Sequence, residues 1–121
     1  MNIKRLDNAF SICKLADFSK VDLSLPFHFA ARTDEECSLV CPTADAPTDA
    51  LERDDGWRAF RIEGVLDFSL IGILADISNR LAKAGIGLFA ISTYNTDYIL
   101  VKAENFERAL QVLAEGGWRI L

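Results

Sequence analysis

The chain has 121 residues, half of them apolar and 26% charged, with 13 Lys+Arg against 18 Asp+Glu and a net charge of −5. That is enough for one ordinary domain or two very small ones with a real core, which excludes a disordered chain. The acidic balance argues against a nucleic-acid or anionic-membrane partner, though backbone N–H groups remain able to hold a small anion.

A single histidine, His28, leaves no multi-histidine metal site within the chain. Three cysteines, Cys13, Cys37 and Cys41, are too few and odd in number for a disulfide framework, so a reducing, cytoplasmic setting is expected. The first residues lead into no signal-peptide core, and no apolar run approaches the ~18 residues that would span a bilayer.

The first half reads as strand-rich. Residues 10–15 form a strand, residues 27–32 alternate, residues 33–36 carry turn chemistry, and a strand over 37–41 is stopped by Pro42. No convincing amphipathic helix lies between them. Residues 42–56, with two prolines and five acids, form the best linker or long loop, with room for one helical turn near 49–53.

The second half is clearer. Residues 57–63 form a strand with Phe60 and Ile62 on one face. Asp67 or Ser69 then opens a helix with Leu70, Ile73, Leu74, Ile77, Leu81 and Ala84 at steps of three and four. Gly85 supplies its left-handed stop. Residues 87–93 read as a strand buried on both faces, residues 94–97 as a turn, and residues 98–102 as the return strand of a hairpin. A second amphipathic helix over 105–115 turns Phe106, Ala109, Leu110 and Leu113 inward and ends at Gly116-Gly117. A short strand over 118–121 follows. The order β-α-β-β-α-β is the α+β, ferredoxin-like plan. The first half then reads as a degenerate copy with its helices reduced to loops. The predicted division is 1–56 and 57–121, and strand 118–121 closes either half.

Two places concentrate chemistry. One is the strand-to-helix turn over 64–72, where unpaired N–H groups and the helix dipole suit a carboxylate and Gly72 lets a ligand come close. The other is Ser92-Thr93-Tyr94-Asn95-Thr96-Asp97, which offers hydroxyls, an amide, an aromatic wall and a carboxylate. A free amino acid needs an anion site and an acceptor for its positive end. The plainer reading is also open: Asp67 and Ser69 as caps, Gly72 for close helix packing, Asn95 and Asp97 as hairpin residues.

Three stretches resemble the ACT-domain group of small amino-acid-binding modules, which includes domains of lysine-sensitive aspartate kinase and an animal arginine sensor. They are residues 56–64 (GWRAFRIEG), 66–75 (LDFSLIGILA) and 84–101 (AGIGLFAISTYNTDYILV). Residues 26–42 resemble the first half of small bacterial members. The resemblance implies tandem ACT-like subdomains, a homodimer, and a regulatory module that binds an amino acid between ACT units without catalysis or cofactor. An alternative is a dimerisation module without a ligand. By position it implies ligand-binding roles for Ser69, Gly72, Ile73, Thr93, Tyr94 and Asp97. Gly72 and Ile73 would meet the ligand carboxylate through their backbone, Thr93 and Tyr94 would line the pocket, and Asp97 would meet the positive end. The arginine sensor's acid, three places after this glycine, is replaced by Ala75. Asp76 points about 100° further round the helix.

Other chemistries are weaker. Cys37 and Cys41 share a strand face but lack zinc-knuckle spacing, and buried free cysteine behaves as a small hydrophobe. His28 is expected on the sheet surface or between subdomains. Arg58 and Arg61 point to opposite faces of one strand and read as a solvated strand or an interface. No nucleophile–base pair or phosphate-binding glycine loop is visible, so no enzyme is expected.

Overall fold

The computed structural model describes residues 1–63 and 71–121. Seven strands and two helices follow in the order β1 (Asn2–Leu15), β2 (Phe29–Arg32), β3 (Cys37–Pro42), β4 (Glu52–Ile62), α1 (Ile73–Lys83), β5 (Phe89–Ser92), β6 (Asp97–Lys102), α2 (Phe106–Glu115) and β7 (Arg119–Ile120). The fold is α+β and ferredoxin-like. Two compact units are present, one made of residues 1–7 and 58–121 and the other of residues 8–57. Among the described residues no helix is long and apolar enough to cross a membrane.

In the larger unit the strand order is β7-β1-β4-β6-β5. β7 runs parallel to the start of β1, pairing Arg119 with Asn2 and Ile120 with Ile3. β1 is antiparallel to β4, since Leu51 N–H bonds to Lys14 O while Glu63 N–H bonds to Asn2 O. Residues 2–7 therefore take the place beside β4, and β7 adds outside them. This answers what the sequence left open for the last strand. It also moves residues 1–7 out of the first half, where a division at 56 puts them. The core here joins Ile3, Phe60 and Ile62 to Ile77 and Leu81 of α1 and to Phe106, Ala109, Leu110 and Leu113 of α2. Each fully buried aliphatic or aromatic side chain of this kind contributes roughly 1.5–3 kcal/mol.

α2 matches its predicted inward face residue for residue. α1 does not start where a cap at Asp67 or Ser69 would begin it. Its first residue is Ile73, after Gly72 at φ +85°, a left-handed conformation that breaks the helix. Asp67, Ser69 and Leu70 lie outside the described residues. Gly85, at φ +74°, ends α1 as expected, and Ile86 N–H bonds back to Leu81 O at 2.9 Å.

β5 is a correction. Its residues are mostly exposed, Phe89 at 36%, because it ends the strand order and among the described residues has a neighbouring strand on one side only. Arg58 is another. Its guanidinium lies 4.3 Å from the centre of the Phe106 ring and donates to Leu6 O at 3.1 Å. Arg61 turns to the opposite face, toward Tyr98 and Glu63, as the alternation requires.

In the 8–57 unit the order is β2-β3-β1-β4. β3 is antiparallel to both neighbours, with Phe10↔Pro42 through Leu15↔Cys37 on one side. Loops stand where helices would be. Phe18, Val21, Ala46 and Ala50 cover a core of Cys13, Leu15, Cys37, Leu39 and Cys41. The predicted linker is shorter than expected. Residues 52–56 belong to β4, so no helical turn occupies 49–53, and Thr43–Asp45 forms a 3-10 turn instead. β2 starts at Phe29 rather than 27, because Phe27 has φ +59° and leaves the extended region. His28 precedes the strand. Its side chain is 3% exposed, its Nδ1 lies 2.9 Å from the Pro26 carbonyl, and its Nε2 lies 4.0 Å from Asp45.

Candidate functional site

Only residues 84–88 separate α1 from β5, so helix and strand run in opposite senses. The start of α1, the end of β5 and the β5–β6 turn then fall at one end of the larger unit. Thr96 fixes that end. Its buried hydroxyl donates to Ile62 O at 2.7 Å, tying the turn to the last residue of β4.

The turn is closed by Thr93 N–H to Thr96 O at 2.8 Å, with Thr93 Oγ1 donating to the same carbonyl at 3.0 Å. Next to it, Ser92 and Asp97 form the last pair of the hairpin ladder, and Ser92 Oγ donates to Asp97 Oδ1 at 2.5 Å. One carboxylate oxygen is thereby held in place by a neutral hydroxyl, with no opposing cation in that bond. Tyr94 stands at the tip, 81% exposed.

At the helix start, Gly72 accepts the Asp76 N–H at 2.8 Å and provides no side-chain cap. Among the described residues nothing lies within 4 Å of where its Cβ would be. Among the described residues nothing packs closely enough to require glycine here, whereas the left-handed backbone favours it. Ile73, half-buried, packs its side chain against the core. Ser69 lies outside the described residues.

Asp76 is fully committed elsewhere. Its carboxylate receives Arg80 Nε at 3.0 and 3.1 Å and Trp118 Nε1 at 3.0 Å. Those bonds, with Arg80's the larger effect, hold its carboxyl below the usual range. It does not replace the acid missing at Ala75. Among the described residues Asp97 is an acid at this end that no ion pair neutralises, whereas Glu63 pairs with Arg61 at 3.1 Å. Ser92 and Thr96 lie in the 92–97 stretch that sequence singles out, but without a ligand-binding role of their own. What they do depends on partners: Asp97 five residues on is close in sequence, while the Ile62 partner of Thr96 is 34 residues away and invisible locally.

In the 8–57 unit all three cysteines are free and buried. Burial pushes the Cys41 thiol up to about 12 and raises that of Cys13. Among the described residues no group of three or more His, Cys, Asp or Glu is placed to hold a metal ion.

A sequence model of the ACT domain matches residues 52–115, more than half of the chain. The human cytosolic arginine sensor for mTORC1 subunit 1 is 41% identical over 58 residues, which is 47% of this chain but 18% of that protein. The match thus spans less than a fifth of that relative. A crystal structure from Agobacterium tumefaciens has a TM-score of 0.87 and 31% identity, over 99% of this chain and 91% of that one. The regulatory subunit of aspartate kinase from Thermus thermophilus, in its ligand-free form, has a TM-score of 0.66 at 10% identity, over 95% of this chain and 96% of that one, a likeness of fold. The chain belongs to the ACT domain family.

Proposed function

We propose that this chain is a non-catalytic regulatory module of the cytoplasm that binds a free amino acid. The ligand carboxylate lies against the backbone at Gly72 and Ile73, and its positive end meets Asp97. The observation that carries this reading is the Ser92–Asp97 pair, a positioned carboxylate at the same end of the unit as a helix start that has no side-chain cap among the described residues. Membership of the ACT domain family supports the ligand class. Ser69, Thr93 and Tyr94 complete the proposed pocket.

Such a pocket is completed by a second ACT unit, and β5 is suited to bring one. It is an exposed edge strand carrying Phe89 and Ile91 on one face, with no lysine or proline to block pairing. Two copies pairing through β5 would form a homodimer whose ligands act allosterically. A dimer that binds nothing is the competing reading.

Thermal unfolding with each of the twenty amino acids separates them. A ligand present at 100 times its Kd stabilises by about 2.7 kcal/mol, and Asp97→Ala is expected to remove the response. Ile91→Lys is expected to give a monomer by sedimentation. A dimer whose unfolding no amino acid alters would sustain the competing reading.

A further inference from the structure

In the 8–57 unit one face of the sheet is covered and the other is open at one end. Cys13, Leu15, Cys37, Leu39 and Cys41 turn to the face that Phe18, Val21, Ala46 and Ala50 cover. Alternation along β1 and the β1–β3 register turn Ile12, Lys14 and Ser38 to the opposite face. On β4, Asp55 accepts the Ser11 hydroxyl and Arg53 Nε on the covered side, so Glu52 and Asp54 share the face of Ile12 and Lys14. Toward Pro42 that face is closed by Phe27, whose ring meets Phe10 edge-on at 6.3 Å. Toward Cys37, Lys14, Glu36, Glu52 and Asp54 are exposed, and Ile12 and Ser38 are half-buried.

Those six residues line a recess of about 360 Å³. Ile12 and Ser38 form its floor, Glu36 stands on the β3 side, and Glu52 and Asp54 stand on the β4 side. Because β3 and β4 flank β1, the two acidic sides are two strand spacings apart, about 9–10 Å. That is close to the width of one α-helix, about 10–12 Å with its side chains. β1 is paired on both sides, so an added strand finds no free backbone here. The charge is one-sided as well. The unit carries ten carboxylates against four Lys and Arg, whereas the rest of the chain carries eight against nine. Glu36 and Glu52 make no ion pair among the described residues. Arg53, which also touches the recess, is taken by Asp55 at 2.7 Å, so Lys14 is the remaining cation beside three acids.

We propose that this open face docks a basic amphipathic helix of another protein. The helix lays a narrow apolar stripe on Ile12 and Ser38. Lys or Arg on one side of the stripe meets Glu36, and Lys or Arg on the other side meets Glu52 and Asp54. Lys14 opposes the docking. Its stem can lie along the floor, but its ammonium subtracts from the negative charge that draws the helix in. The surface is independent of the amino-acid reading above, since it uses no residue of that site.

The test is an amide NMR titration of the ¹⁵N-labelled full chain with a synthetic peptide of leucine and lysine, about 18 residues long and patterned as one amphipathic helix. The control peptide has glutamate in place of every lysine. Saturable shifts at residues 12, 14, 36, 38, 52 and 54 are expected with the lysine peptide and none with the glutamate one. The double variant Glu36→Lys/Glu52→Lys, at two exposed positions, is expected to weaken binding about tenfold. Lys14→Gln is expected to strengthen it about threefold, an effect in the direction that damage to the fold would not produce. Equal binding of the two peptides overturns the proposal, as does weaker binding by Lys14→Gln. Shifts spread over Asp17, Asp22 and Asp34 as strongly as over the recess show bulk charge attraction and overturn it too, as does no saturation at about 1 mM peptide.

Discussion

Replacing Thr96 by valine keeps the side-chain volume and removes the hydroxyl that ties the β5–β6 turn to β4. Thr96 is 7% exposed, and its Oγ1 donates to Ile62 O at 2.7 Å. The loss has two parts. The hydrogen bond itself is worth about 1 kcal/mol net, and a buried carbonyl left without its partner costs about 1–3 kcal/mol. The expected destabilisation is about 2 kcal/mol. For a chain of this size each kcal/mol lowers Tm by roughly 3–5 °C, giving a drop of about 6–10 °C. Thr93→Val is the control. Its hydroxyl shares the Thr96 carbonyl with the Thr93 N–H at 2.8 Å and accepts the Thr96 N–H only at a long 3.4 Å, so deleting it should cost less than about 1 kcal/mol. Thermal and urea unfolding followed by circular dichroism measure both. If Thr96→Val falls within about 0.5 kcal/mol of Thr93→Val, the Ile62 bond is not what holds the site end of the hairpin, and the reasoning fails.

Gly85→Ala, forced to φ +74°, should destabilise by about 1–2 kcal/mol, whereas Gly87→Ala, with open space and no left-handed φ, should be near neutral; urea midpoints compare them. Asp76 has a lowered folded pKa, so its contribution is present above the unfolded carboxylate value and is lost as pH falls through the folded one; Asp76→Asn should flatten the acid limb of stability below about pH 4. With the Cys41 thiol at about 12 and all three cysteines buried, a thiol reagent at about pH 8 should react with none of them until guanidinium unfolds the chain; prompt labelling of the native protein would show the core over β1 and β3 to be open.

The parts of the fold that sequence revealed are those with local causes. Phe106, Ala109, Leu110 and Leu113 repeat at helical steps, and α2 follows them. Gly85 after an apolar period marked the end of α1. What stayed hidden depends on distant neighbours. The apolar composition of β5 suggested burial on both faces, but composition does not tell an edge strand from a central one, and β5 is an edge. Glu52, Asp54 and Asp55 disguised the start of β4, since acids disfavour strands unless a partner strand fixes them. Ile3 and Leu6 are both buried although three residues apart, so β1 shows no clean alternation of buried and exposed residues at its start. Its place in the larger unit follows from bonds to residues 63 and 119, beyond any local window. Of the candidate site, the hairpin turn and Asp97 could be read from turn chemistry. The commitment of Asp76 to Trp118, 42 residues away, could not.

The most direct test of the account is electron density from crystals grown with a mixture of the twenty amino acids. An amino acid with its carboxylate at the Gly72 and Ile73 backbone and its positive end at Asp97 is the expected result. A well-ordered turn and helix start with no amino acid between them, in crystals saturated with all twenty, would contradict it.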